Sequence, residues 1–342
     1  MKEYIKFLYT NYPDIVEDMR ECSHHYSITN LSSYHLEGDV FSHTLMVAKL
    51  SELLGTHKNV QLAALLHDIG KPDTREVDHD KKKTMFYGHA GVSFWKSIEI
   101  LNKLKCSDKD KIEILSLISL HLDFMNIKNN EGRIRHKFKN NQELLIKLAK
   151  LYYCDSNGRY SDDEHATREE INTIINTRVI NEGSDKRGST LTLLCGLPCS
   201  GKSTYIKESA TRNDVILNRD SIVIEVAGTD NFNDAWAKVD QEKVNLLLEE
   251  RFIKAVHERK NIIVDMTNMS RKRRNKFTCR VPKKDYNKKC IIFATELSEI
   301  KRRNIKRNEE TNKLIPNKVY SDMMRGFSLP MYDDFDNIDW RF

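Results

Sequence analysis

The sequence predicts two domains, an all-helical one followed by an α/β one with a mainly parallel sheet. Three observations point to this. Eleven of the twelve histidines precede residue 166, and only His257 follows it. Apolar residues recur at helical spacing through the first half, whereas short, nearly continuous apolar runs alternate with helical patterns through the second. Between the halves, "NEGSDKRGST" (Asn181–Thr190) is polar and glycine-bearing, as a linker is. The boundaries are therefore set at residues 1–182, a linker over 183–189, and residues 190–342.

At 342 residues the chain is long enough to bury a core in each half. Charged residues make up 31% and hydrophobic ones 39%, and no apolar run approaches the ~18–20 residues that cross a bilayer. The opening "MKEYIKFLYTNYPDIVEDM" lacks the apolar core and small-residue cleavage site of a signal peptide. Seven cysteines without a C-x-x-C pair argue against a disulfide framework or a zinc ribbon. A cytoplasmic protein with no membrane partner is the expectation. Net charge is +6, with Lys and Arg concentrated in "SRKRRNKFTCRVPKK" (Ser270–Lys284) and "IKRRNIKRN" (Ile300–Asn308). Such runs are solvated faces or contacts to a phosphate-rich partner.

In the first half, Val47, Leu50 and Leu54 share a helix face with His43, and Val60 and Ala64 lead to His67. Ile114 and Ile118 lead to His121, and Leu144, Leu148 and Leu151 lead to Asp155. Gly55 and Gly70 fit helix C-caps. A lone histidine on an apolar face is usually a hydrogen-bonded core residue. A buried, unpaired carboxylate costs several kcal/mol, so Asp68 and Asp155 each need a cation or strong donors. No lysine or arginine shares those stripes. Two imidazoles and two carboxylates, from His43, His67, Asp68 and Asp155, form a donor set suited to a divalent transition metal.

In the second half, "TLTLLC", "DVILN", "NIIVD" and "KKCIIFA" are the predicted parallel strands. "GLPCSGKST" (Gly196–Thr204) follows the first of them and opens a helix, the context a phosphate-binding loop requires. Gly196, Ser200, Gly201 and Thr204 line the nucleotide, Lys202 bridges its outer phosphates, and the Ser203 hydroxyl ligates the Mg2+ that accompanies ATP or another NTP. "VILNRD" ends the next strand at Asp220, where a carboxylate takes the proton of an attacking hydroxyl. "NIIVDMTN" places Asp265, Thr267 and Asn268 at another strand end, and Arg303 and Arg307 lie one turn apart on a helix as a phosphate clamp.

His43, the His67–Asp68 doublet and Asp155 resemble the metal-ligand pattern of the HD superfamily of phosphohydrolases. "HLEGDVFSHT", "LLHDIGKPDT" and "FYGHAGVS" are similar to the HD domain attached to bacterial CCA-adding enzymes. That resemblance implies action on 2'-phosphates and 2',3'-cyclic phosphates with one or two ions such as Mn2+, Ni2+, Co2+ or Fe2+. His89 and His121 would then hold a second metal with Asp68 bridging, and Lys71 would face the substrate phosphate; His35 and Glu37 are weaker candidates beside it or supports of the loop.

The P-loop, "NRD", "VDMTN", "RNIKR" and "LIPNKVYSDMMRGFSLP" resemble, in order, the 5'-hydroxyl polynucleotide kinases of phage and RNA-repair enzymes. By that likeness Asp220 is the general base, Arg303 and Arg307 lie on a lid, and Asp265, Thr267 and Asn268 contact substrate. The family carries an arginine three residues after the base, where this chain has Val223; Arg219 or the 270–284 basic run is the replacement. Together the halves resemble the bifunctional HD-Pnk proteins, which heal RNA ends. The expected partners are RNA or DNA ends, an NTP and a separate ligase. The rival reading is an HD nucleotidase fused to a nucleoside or small-molecule kinase. A nucleotide-gated RNA-binding switch would have little use for Asp220 beside two complete sites.

Overall fold

Side-chain caps delimit most helices of the first half. Asp39 accepts from Ser42 N ahead of α3 (Val40–Leu53), after α1 (Lys2–Asn11) and the proline-initiated α2 (Pro13–Glu21). His57 caps α4 (Lys58–Leu66) through its side chain. A two-stranded antiparallel ribbon, β1 (Glu76–Asp78) and β2 (Lys83–Met85), separates α4 from α5 (His89–Lys103). Ser107 caps α6 (Asp108–Ile127), Asn130 caps α7 (Glu131–Lys137), Asn141 caps α8 (Gln142–Asn157) and Thr167 caps α9 (Arg168–Asn176). Helices α3, α4, α6 and α8 pack on one another, with α5 against α6 and α9 against α8. Their core holds Val47, Ala63, Trp95, Ile114, Ile118 and Leu148.

In this computed structural model, which describes residues 1–181, 188–229 and 232–342, the chain divides into two units. The first is Met1–Glu182 with Met324–Leu329, and the second is Gly183–Met323 with Pro330–Phe342. Residues 183–187 of the expected linker lie outside the described residues. Within the first unit, Phe327 packs on Phe94 and Trp95, with ring centroids 4.6 and 5.6 Å away.

The second unit is built on a five-stranded sheet in the order β4-β5-β3-β6-β7. The strands are β3 (Ser189–Cys195), β4 (Asp214–Asn218), β5 (Asn261–Asp265), β6 (Tyr286–Phe293) and β7 (Asn337–Arg341), and every pairing is parallel. Between β3 and β4 runs α10 (Lys202–Ser209). Between β4 and β5 run α11 (Arg219–Ala227), α12 (Phe232–Lys238) and α13 (Gln241–His257). Helix α14 (Arg271–Thr278) leads to β6, and α15 (Leu297–Thr311) and α16 (Asn317–Arg325) precede β7. The fold class is thus a helical domain followed by an α/β domain with a parallel sheet. Among the described residues no helix is long and apolar enough to cross a membrane.

Some local expectations change. Gly55 has φ +59 just after α3, as a C-cap should, but Gly70 is not left-handed. A Cβ on Gly70 would lie 2.6 Å from His89 O and from Ser93 N, so close approach of α5 is what requires glycine there. The stripe beyond Val47 fades: Leu50 is half-buried and Leu54 exposed. The 270–284 basic run is partly structural. Arg274 is fully buried and donates to Asn268 O and Met269 O at 3.0 and 3.1 Å, while Arg271 pairs with Asp333 and Asp334.

Candidate metal centre and phosphate-loop site

Three histidines around Asp68 use Nδ1 in the same way. His67, the C-cap of α4, donates to Ala64 O at 2.8 Å. His89, which opens α5, donates to Phe86 O at 2.8 Å, and His121 on α6 donates to Ile118 O at 2.7 Å. A carbonyl only accepts, so each Nδ1 carries a proton, and Nε2 is the ring atom left to serve as a ligand. Those Nε2 atoms converge on Asp68: His67 is 3.2 Å and His89 3.1 Å from its oxygens, and His121 is 3.9 Å away. The His89 and His121 Nε2 atoms face each other at 3.1 Å.

His43 on α3 reaches the same place, with Nε2 3.0 Å from Asp155 Oδ1 and 3.6 Å from Asp68 Oδ2. His67 Nε2 and both Asp68 oxygens are buried without hydrogen-bond geometry to any partner, a cost that a cation removes. The ligand atoms form two triads, His43–His67–Asp155 and Asp68–His89–His121. Burial opposes charge on His67, yet Asp68 and Asp155 outweigh it and lift its pKa to about 10. Burial would likewise raise Asp68, but the charges of His67 and Lys71 hold its carboxyl well below the usual range. The pocket is built to hold positive charge, and the donor set fits one or two divalent ions. Asp155 keeps 20% of its side chain exposed, which opens the group to solvent.

Three surrounding residues complete the centre. Lys71 is buried, with Nζ 2.8 Å from Asp68 Oδ2 and 3.1 Å from His24 Nε2. Glu37 Oε1 lies 2.9 Å from His35 Nδ1 and 3.0 Å from His43 Nδ1, while Glu37 Oε2 accepts from Tyr160 N. Glu37 is therefore placed to orient His43 from behind, a closer role than loop support. His24 was missed by sequence reasoning. It precedes α3 in a loop with no periodic pattern, and only its fold-back against Lys71 reveals it.

In the second unit the phosphate loop joins β3 to α10. Gly201 has φ +100, and a Cβ on Gly196 would meet Ser200 Oγ at 2.8 Å and Phe293 Cβ at 2.9 Å. Lys202 folds into its own loop, donating to Gly196 O at 3.0 Å and Leu197 O at 2.7 Å, and burial lowers its pKa to about 8. Ser203 and Thr204 are exposed on the first turn of α10. Asp220 lies on the first turn of α11 rather than on the strand, which ends at Asn218. Asn218 donates to Asp265 Oδ2 at 2.6 Å, tying together the ends of the neighbouring strands β4 and β5.

Arg303 donates to Cys199 O in the loop at 3.3 Å and to Glu299 at 2.6 Å. Arg307 is turned elsewhere, donating to Asn304 Oδ1 and Lys313 O. Thr267 contributes its carbonyl to Gly196 N at 3.0 Å. Asn268, expected as a substrate contact, is 2% exposed and donates to Leu194 O and Val264 O, so its amide braces the strand ends instead.

The comparisons with known proteins follow the same division. The HD domain family matches residues 40–156, and an AAA domain family matches residues 191–330. The chain is 31% identical over 132 residues to an A-adding tRNA nucleotidyltransferase of Deinococcus radiodurans, covering 37% of this chain and 29% of that protein. It is 29% identical over 123 residues to a multifunctional CCA protein of Shewanella frigidimarina, covering 36% and 26%. The chain thus spans less than a third of the length of these curated relatives. A solved RNA repair complex of Pnkp1, Rnl and Hen1 aligns at 25% identity over 41% of this chain and 44% of that one, with a TM-score of 0.32. The chain thus carries a match to the HD domain family on its helical unit and a match to an AAA domain family on its parallel-sheet unit.

Proposed function

We propose that this chain is a two-site enzyme that heals nucleic-acid ends. Its second unit transfers the γ-phosphate of an NTP to a 5'-OH end, and its first removes 2',3'-cyclic and 2'-phosphates. The observation that carries the reading is the pairing, in one chain, of a phosphate loop flanked by Asp220 with a buried group of four histidines and two aspartates.

In the kinase half, the loop amides and Lys202 would hold the β- and γ-phosphates, and Ser203 would hold the accompanying Mg2+. Asp220 accepts the proton of the 5'-hydroxyl as its oxygen bonds to the γ-phosphorus, and the bond to the β–γ bridging oxygen breaks to release the nucleoside diphosphate. Arg303 sits over the loop, where it meets charge on the transferring group. In the other half, His43, His67 and Asp155 would hold one divalent ion and Asp68, His89 and His121 a second. Such ions act as Lewis acids and bring the pKa of a bound water near neutrality. Lys71 would neutralise the phosphate, and Glu37 would keep His43 aimed at the centre.

The residues of the two activities are proposed to lie within 1–182 and 190–342, with Met324–Leu329 completing the packing of the first unit. Incubation with labelled oligoribonucleotides bearing 5'-OH or 2',3'-cyclic phosphate ends, with and without ATP, tests the reading. ATP-dependent labelling of the first and metal-dependent opening of the second support it. Phosphorylation of mononucleosides in preference to oligonucleotides would replace it with a small-molecule kinase.

A further inference from the structure

Next to Asp220 the α/β unit builds a surface that the transfer step leaves unused. Arg219, which precedes Asp220 on the first turn of α11, lies over the ring of Trp236, its guanidinium carbon 4.9 Å from the ring centroid. Its Nη2 donates to Gln241 Oε1 at 2.5 Å. Trp236 is 45% exposed, a large apolar area to leave in water.

The position is fixed from below. Ala235, the neighbour of Trp236, is fully buried with Ile222, Val223 and Val244, which locks α12 onto α11 and α13. Val223, where the kinases it resembles carry arginine, is thus a floor for this helix and reaches no phosphate. Gln241 opens α13 and holds the Arg219 guanidinium. Cation and indole are therefore preorganised beside the carboxylate, with little side-chain freedom left to lose on binding.

We infer that Arg219 and Trp236 form a stacking platform for the terminal base of the acceptor strand, so that the preferred substrate is a single-stranded, base-bearing 5'-OH end. The inference rests on the kinase reading of Asp220. Every base has a π-face, so an aromatic ring paired with a guanidinium grips an end without choosing sequence. A base already stacked within a blunt duplex cannot use it.

The test compares single-stranded 5'-OH oligonucleotides with an ordinary or an abasic first nucleotide, using wild type, Trp236→Ala and Trp236→Phe. In the wild type, loss of the base should raise KM about tenfold or more, within the range of one base–aromatic stack. Trp236→Ala should show that same rise on the intact oligonucleotide and little further loss on the abasic one. Trp236→Phe should keep most of the discrimination, and KM for ATP should stay within about twofold in both variants.

Binding of the same oligonucleotides without ATP, read by anisotropy and by quenching of indole fluorescence, should follow the same order. Trp236→Ala that still discriminates like wild type overturns the platform. So does a wild type with neither an abasic penalty nor quenching, a result that needs no variant to fold. If wild type transfers phosphate to no polynucleotide, the kinase reading fails, while the binding ratios still decide the stack.

Discussion

Lys313 Nζ donates to Asp220 Oδ2 over 2.6 Å, so the loop after α15 caps the carboxylate proposed to accept the hydroxyl proton. The loop is anchored: Arg307 holds Lys313 O, and Asn304 exchanges hydrogen bonds with Ile315. Asp220 remains 54% exposed, and an ion pair this open to water is worth about 0.2–1 kcal/mol. A substrate hydroxyl that displaces Lys313 meets that cost. Lys313→Met should therefore lower KM for the 5'-OH end by up to about fivefold with kcat unchanged. A tenfold fall in kcat would instead put Lys313 on the transferring phosphate.

Lys202→Ala and Asp220→Ala should each silence the kinase and spare the phosphohydrolase. The loss for Asp220 should be ~10²–10⁴-fold in rate, the usual worth of a positioned base. Single-turnover transfer to 5'-OH RNA measures it, and a normal rate in Asp220→Ala removes the assignment.

The two arginines of α15 should differ. Arg303 already touches the phosphate loop, so Arg303→Ala should lower kcat by about 10²–10³-fold with a smaller change in KM. Arg307 braces Asn304 and Lys313, and Arg307→Ala should cost about tenfold or less. Equal losses in both would mean that Arg307 swings onto the phosphates during turnover.

Nucleotide binding should take up a proton above pH 8. Burial lowers free Lys202 from its ordinary 10.5 to about 8, while a bound triphosphate favours its charged form. The free site thus loses its proton as pH rises through about 8, the bound site keeps it, and affinity falls by up to about tenfold per pH unit above that point. Calorimetry at pH 9 in buffers of different ionisation heat should report close to one proton per nucleotide. Lys202→Arg, charged throughout this range, should report about none if it binds.

Asp68→Ala should strip the metal and abolish phosphohydrolysis while leaving the kinase unchanged. Asp68 touches His67, His89 and Lys71, so no other single loss should do as much damage. His89→Ala and His121→Ala should lower bound metal from about two ions toward one per chain by elemental analysis. A stoichiometry near one in both wild type and variants would make these histidines substrate-positioning groups. Active wild type without metal would overturn the centre.

Sequence periodicity reached what lies on regular elements. His43, His121 and Asp155 share helix faces with apolar residues at helical spacing, and His67 closes α4; the structure brings all four together. The four apolar runs of the second half are strands β3 to β6. Contacts made by loops were not legible in this way. Strands β1 and β2 lie in a charged stretch with no alternation, and β7 mixes polar and apolar residues. Val223 looked like a missing phosphate contact because only the packed helices show what it supports. Asn268 looked like a ligand residue because a polar side chain at a strand end gives no sign, in sequence, that backbone carbonyls will claim it.

The segment Met324–Leu329 makes the first unit a discontinuous domain. A Cβ on Gly91 would sit 2.1 Å from Met324 O, and one on Gly88 2.5 Å from Arg325 O, so α5 is shaped around a segment made only after most of the α/β unit. Domains usually finish in the order of synthesis, amino-terminal first. Here the helical unit waits for residue 329 to leave the ribosome before Phe327 covers Phe94 and Trp95. A gene cut at the linker would therefore yield a first half with an open aromatic socket rather than a finished domain.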